Sequence, residues 1–201
     1  IGYNESDIIG DDPNTIADKG YGNGNIDGEK LTNYHSTQVT GVLAGIRTDE
    51  LGVKGITNSI KVMPIRLASL GSERDKDIAL AIRYAVDNGA KVINMSFRND
   101  FSTHREWVDD AIKYAASKDV LLIVAAGNEG VDTDINFNYP NDQIENDIDF
   151  VENFIVVGSS SNKSNLISDF SNYGKNSVDV FAPGEDIYTS NANNTYSFID
   201  G

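Results

Sequence analysis

The sequence predicts an α/β domain built on a mostly parallel sheet, and three observations carry that prediction. Strand-like and helix-like segments alternate from Ile60 onward, in the order strand, helix, strand, helix, strand. That order is the signature of right-handed crossovers. Val120–Ala126 is a near-continuous apolar run of strand length, the kind buried on both faces of a parallel sheet. The two helical segments between the strands each carry one apolar stripe, which lets them cover a sheet face.

Residues 1–34 are rich in Gly, Asp and Asn with little periodicity, and read as an ordered surface loop. His35–Ile46 reads as a helix with Val39, Val42, Leu43 and Ile46 on one face. Its Gly41, Ala44 and Gly45 lower intrinsic helix propensity and point to tight packing against other backbone. Ile60–Arg66 reads as a strand. Asp75–Asn88 reads as a helix with Ile78, Ala81, Ile82, Ala85 and Val86 as its stripe and Gly89 as its stop. Lys91–Ser96 follows as a strand, taken as buried although it carries Asn94. Arg105–Lys118 is a helix with Val108, Ile112 and Ala115 on one face. Phe154–Gly158 and Val178–Phe181 are two further strands. Tyr196–Gly201 reads as chain with no closing element. There is no internal repeat, and no linker divides the sequence.

Composition excludes several functions. The chain has 201 residues, with 16 Lys and Arg against 31 Asp and Glu, a formal net charge of −15. Such a surface repels phosphate backbones, so no nucleic-acid partner is expected. An anionic membrane surface is disfavoured for the same reason. Hydrophobic residues make up 39%, enough for a core. No apolar run approaches the roughly 20 residues needed to span a bilayer, so membrane insertion is not expected. There is no cysteine, which removes disulfides, zinc-thiolate sites and cysteine nucleophiles.

In parallel sheets ligands gather beyond the carboxyl ends of the strands. Those ends are Leu67–Gly71, Ser96–Arg98 and Gly127–Gly130. Three segments there and at the glycine-rich helix carry chemistry. His35-Ser36-Thr37-Gln38-Val39-Thr40-Gly41 places an imidazole at a helix start. His35 and His104 are the two histidines, so an imidazole base is one of them, and His104 lies in a polar stretch before a helix. Ala125-Ala126-Gly127-Asn128-Glu129-Gly130 brings an amide side chain and bare backbone to one place, suited to a developing oxyanion. An ordinary turn is the alternative there, since Asn and Gly dominate turns. Val92-Ile93-Asn94-Met95-Ser96-Phe97 ends a strand in a polar residue.

Together and in this order, these segments resemble the subtilisin-like serine proteases (subtilases, peptidase family S8). Phe170-Ser171 followed by Val178-Asp-Val-Phe-Ala-Pro-Gly184 is similar to that family's Phe-Ser … Asp-Val-x-Ala-Pro-Gly stretch. Tyr196–Gly201 is similar to the approach to its Gly-Thr-Ser-Met-Ala nucleophile motif. The opening segment, with Ile9-Gly-Asp-Asp and Tyr21-Gly-Asn, resembles an acidic insertion of some bacterial members. The resemblance covers most of residues 1–201 in collinear order.

It implies a three-layer fold with a mostly parallel central sheet and helices on both faces. It implies a serine endopeptidase acting through a Ser-His-Asp triad. His35 matches the general base and Asn128 the oxyanion donor. Ser96, Phe97 and Arg98 match the edge that pairs with substrate backbone and one wall of the first specificity pocket. Ala125, Ala126 and Gly127 match the opposite wall. Ser69, Leu70 and Gly71 match the other substrate-flanking edge, so a polypeptide substrate would lie between the edges as an added strand. The family also implies a secreted or cell-envelope location. No cofactor is expected to be required. Members often bind structural calcium, which leaves a calcium site open, and the sequence likewise leaves open whether a propeptide or further domains exist outside the fragment.

There are departures. Ser36 stands where the family usually has Gly, Gln38 where it often has a second His, and Arg98 where it has a wall glycine. Arg98 would either narrow the pocket or favour acidic side chains. The triad Asp is expected upstream of Ile1 and the Ser one or two positions past Gly201. Residues 1–201 therefore read as an incomplete catalytic domain, with 1–34 an acidic insertion or loop and 35–201 the core, and the chain alone is expected to be inactive. A non-catalytic peptide-binding or scaffolding module of the same family is the alternative. Asn23–Gly28 imitates half of a calcium loop, but the closing position is Tyr34 instead of Glu, so it reads as a solvated turn. Ile144–Asp149 reads as a soluble acidic face.

Overall fold

The computed structural model describes residues 3–4, 35–46, 52–57, 59–67, 73–144, 148–161, 166–191 and 195–201. They form two compact units, one drawn from Ile1–Arg66 and Gly184–Asp200, the other from Leu67–Pro183 with Gly201.

In the larger unit, β3 (Val92–Met95), β4 (Leu121–Ala125), β7 (Phe154–Ser160) and β8 (Val180–Pro183) form a four-stranded sheet in that order. Every pairing is parallel, with Val92 opposite Leu121, Leu122 opposite Phe154, and Val157 opposite Val180. This is the predicted α/β architecture. Two helices, α2 (Asp75–Asp87), which precedes β3, and α3 (Arg105–Ser117), which crosses from β3 to β4, pack on each other. Their stripes meet the sheet in one core around Ile78, Ile82, Ile112, Leu122 and Val124, each at most 2% exposed.

Local chemistry sets the helix ends. Asp75 and Asp77 lie in the first turn of α2, where carboxylates complement the helix dipole. Asn88 ends it, with both its backbone N–H and its side-chain amide donating to Tyr84 O at 3.0 and 2.9 Å. Gly89 then takes a left-handed φ of +87°. Asp75 also holds the start of α3. Its carboxylate accepts the backbone N–H groups of Thr103 and His104, both at 2.8 Å, and the Ser102 hydroxyl at 2.8 Å. Burial raises the pKa of Asp75, but these hydrogen bonds outweigh it and hold the carboxyl below its ordinary range.

Two expectations change here. Asn94 and Val92 are exposed because β3 is an edge of this sheet, so Lys91–Ser96 is not a buried strand. The segment Asn141–Asp149 contains a short antiparallel pair, β5 (Gln143–Ile144) with β6 (Ile148–Asp149), which the sequence did not announce.

In the smaller unit, α1 (His35–Ala44) packs on β9 (Ile187–Asn191), which pairs with β10 (Thr195–Ile199) as an antiparallel hairpin. The reading of Tyr196–Gly201 as chain with no closing element is thereby corrected. Gly41 explains the small residues of α1. A Cβ there would sit 2.5 Å from Thr189 Oγ1 and would overlap Ser190 Oγ. Both hydroxyls donate to α1 carbonyls, Thr189 to Gln38 O at 2.7 Å and Ser190 to Thr37 O at 3.0 Å. Carbonyls in the last turn of α1 and just past it are capped by a following segment: Ile56 and Thr57 N–H donate to Val42 and Leu43 O, and Gly55 N–H to Gly45 O. The expected apolar face loses Ile46, which lies past the helix and is 73% exposed. Ile60–Arg66 shrinks to β2 (Ile65–Arg66), paired in parallel with β1 (Tyr3–Asn4). That pairing also corrects the reading of Tyr3 and Asn4 as loop.

Candidate active site

Within the larger unit, the parallel pairing of β3 with β4 brings together two of the predicted segments. Met95 lies opposite Val124, so Ser96–Arg98 and Ala125–Gly127 leave the sheet side by side. Phe97 turns its ring to the core, and Ala126 is fully buried. The Ala126 carbonyl accepts from Asn138 Nδ2 at 2.7 Å and Asn172 Nδ2 at 2.9 Å. Phe97 and Ala126 therefore anchor the two segments to the core.

The turn after β4 is held from below. Gly127 and Gly130 have left-handed φ of +106° and +66°. A side chain at Gly127 would also meet Arg98 Nε at 2.6 Å and overlap Asn172 Nδ2, so glycine is required there twice over. Asn172 is wholly buried. Its Oδ1 accepts from the N–H groups of Glu129 at 3.0 Å and Val131 at 3.1 Å, its own N–H donates to Gly127 O at 2.9 Å, and its Nδ2 donates to Glu129 Oε2 at 2.8 Å. The Asn128 N–H donates to the same carboxylate oxygen at 3.0 Å. The result is a fixed turn whose one outward amide is Asn128, an exposed residue. A Cβ built on Gly201 would lie 3.4 Å from Asn128 Nδ2, so this amide stands beside the last residue of the chain.

Arg98 is committed to neighbours. It donates from Nε to Glu129 and from Nη2 to Asp100, both at 2.7 Å, and its side chain is 15% exposed. Two carboxylates of its own chain thus share its charge.

In the smaller unit, His35 is the first residue of α1 and is exposed. The sequence placed it at a helix start, and it is there. His104 precedes α3, stacked on Trp107 at 4.0 Å with Nδ1 3.2 Å from Glu106. Ser69, Leu70 and Gly71 and the Asn23–Gly28 segment lie outside the described residues. Among the described residues, no group of three or more His, Cys, Asp or Glu is arranged to hold a metal ion.

Away from this turn, Asp142 is 6% exposed and lines a small cavity with Asp149 and Asp179. Burial, and then the charge of Asp149, push its carboxyl up to about 7.

Asn172 and Glu129 hold this turn together, a part that sequence reasoning missed. A signal existed for the first, since Phe170-Ser171 had already stood out and Asn172 follows directly.

The sequence and the fold both have known relatives. A family model described as the Subtilase family matches residues 8–200. A thermophilic serine proteinase of Bacillus sp. (strain AK1) is 36% identical over 171 residues, covering 84% of this chain and 39% of that protein. A cell wall-associated protease of Bacillus subtilis (strain 168) is 32% identical over 168 residues, covering 83% of this chain and 17% of that one. The crystal structure of a cold adapted subtilisin-like serine proteinase matches with a TM-score of 0.66 and 28% identity, over 84% of this chain and 55% of that chain. The chain thus spans little more than half, or less, of each of these three proteins.

Proposed function

This chain belongs to the subtilase family, and from that premise we propose that it carries the general base and the oxyanion donor of a serine endopeptidase. The observation that supports this best is the fixed turn that turns the Asn128 amide outward beside Gly201. In the proposed reaction His35 takes the proton of the attacking serine hydroxyl and returns it to the leaving amine. Asn128 donates to the carbonyl oxygen as it gains charge. A pre-fixed donor needs no reorganisation when that charge appears, which is why such groups act on the transition state more than on bound substrate. Base, donor and nucleophile are all protein groups, so the chemistry calls for no cofactor. The substrate is an extended polypeptide, seated by family resemblance between Ser96–Arg98 and Ser69–Gly71.

Residues 1–201 contain neither an Asp-Ser/Thr-Gly nor a Gly-Thr-Ser motif. The chain by itself is therefore expected to be inactive, and the catalytic tests use a protein in which it is joined to segments carrying both. A secreted or cell-envelope location is part of the same proposal. It is supported by the cell wall-associated relative, and among the described residues no helix is long and apolar enough to cross a membrane.

A fluorophosphonate probe on the joined protein should label the serine, and His35→Ala should abolish labelling, since the probe needs an activated nucleophile. Absence of labelling in the unsubstituted protein would favour the non-catalytic peptide-binding module, to which Ser36 and Gln38 already lean.

A further inference from the structure

By the family resemblance, Arg98 takes the place of a glycine in the wall of the first specificity pocket. Its side chain lies across Gly127, close enough that a Cβ on that glycine would be 2.6 Å from Nε. From there Nε reaches Glu129 Oε2 at 2.7 Å, while Nη2 reaches Asp100 at 2.7 Å. One guanidinium thus bridges the segment leaving β3 and the turn leaving β4. The far end of the bridge is anchored too, because Glu129 Oε2 also accepts from Asn128 N at 3.0 Å and Asn172 Nδ2 at 2.8 Å.

Two consequences follow for a side chain entering between Ser96–Arg98 and Ala125–Gly127. The stem and guanidinium of Arg98 already lie against Gly127, where such a side chain would have to pass. The charge there is already balanced, so an acidic side chain would have to break a part-buried ion pair to be recognised. Truncating one partner of such a pair leaves the other exposed to new ligands.

We propose that the Arg98–Glu129 pair is a specificity-determining plug that restricts this pocket to small side chains of the Gly, Ala or Ser class. The residue so selected precedes the scissile bond if the peptidase reading holds, on which that part of the inference rests. Removing Arg98 opens the gap and leaves the Glu129 carboxylate at its floor, so the pocket then takes large side chains and prefers basic ones. Removing the Glu129 charge instead leaves Arg98 able to meet an acidic side chain.

The test titrates fluorescent peptides of one sequence, differing at a single position (Ala, Phe, Lys or Glu), onto the 201-residue chain and onto Arg98→Gly and Glu129→Gln. Circular dichroism checks that each variant is folded, and Arg98→Ala replaces Arg98→Gly if the glycine variant is not. The unsubstituted chain should bind the Ala peptide about tenfold or more tightly than the Phe or Lys peptide, the order of discrimination that steric fit supplies. Arg98→Gly should bring Phe within about threefold of Ala and place Lys above Glu. Glu129→Gln should raise the Glu peptide. Equal binding of Ala and Phe by the unsubstituted chain, an order unchanged in Arg98→Gly, or no peptide bound by the folded chain would overturn the plug. Fluorophosphonate labelling of the joined protein is read separately. A preference switch without labelling removes the peptidase reading and leaves the plug. Labelling with an unchanged order does the reverse.

Discussion

Asn172→Ala removes the hub beneath the turn that presents Asn128. The side chain is fully buried and makes four hydrogen bonds, to Ala126 O, Glu129 Oε2, Glu129 N and Val131 N. Two of the four partners keep others. Ala126 O still receives Asn138, and Glu129 Oε2 still receives Arg98 and Asn128. The N–H groups of Glu129 and Val131 are left without the carbonyl they donate to. A buried donor without a partner costs roughly 1–3 kcal/mol, and water reaches part of the exposed Glu129 turn, so the expected loss is about 2–4 kcal/mol. In a chain of this size a loss of about 3 kcal/mol lowers Tm by roughly 6–12 °C. Urea unfolding followed by far-UV circular dichroism should show a lower midpoint at an unchanged slope. Asn172→Asp sharpens the test. It keeps the acceptor but sets an anionic oxygen against Glu129 and the Ala126 carbonyl. Its loss should be evident at pH 7 and shrink as the pH falls toward the carboxylate range. An Asn172→Ala midpoint corresponding to less than about 0.5 kcal/mol, the range of ordinary surface substitutions, would refute the hub.

Two further predictions come from the rest of the molecule. Gly41→Ala forces a methyl group against Thr189 and Ser190, whose hydroxyls tie β9 to α1, and should cost about 1–3 kcal/mol by thermal melting; an unchanged melt would show that α1 is not seated so closely. Asp142 is held at about 7, above its ordinary value, by burial, by Asp149 and by Asp179, with Arg105 opposing them. The folded chain therefore keeps a proton that the unfolded chain releases, so this group's stabilising contribution is present at acid pH and is lost between about pH 4 and pH 7. Asp142→Asn should raise Tm relative to the unsubstituted chain at pH 8 and change it little at pH 4; equal shifts at both would contradict the assignment.

The sequence made the larger unit legible because its signals are local. The stripes of α2 and α3 and the apolar run of β4 each repeat at a fixed period, and the core they form buries the residues those periods select. The β9–β10 hairpin escaped notice because its aromatic residues, Tyr188, Tyr196 and Phe198, cluster on an exposed face and give no core-facing alternation. Ile60–Arg66 misled in the opposite sense: Ile60 and Val62 are apolar in type yet exposed, and only Ile65 and Arg66 find a strand partner. At the candidate site the order of motifs brought Asn128, Ser96–Arg98 and Ala125–Gly127 to attention. What the order does not contain is pairing across space. Asn172 reads like any loop asparagine until it is found at 0% exposure under the turn. Arg98 reads as a free cation until Glu129 and Asp100 are placed beside it.

The most direct measurement of the central assignment is peptide turnover by the joined protein with and without Asn128→Ala. If Asn128 is the oxyanion donor, kcat falls roughly 10²–10³-fold while KM changes little, the size of loss known from subtilisin, a member of the same family. A kcat for the folded variant within about threefold of the unsubstituted protein would contradict the assignment of Asn128, and with it the reading of this turn as a catalytic site.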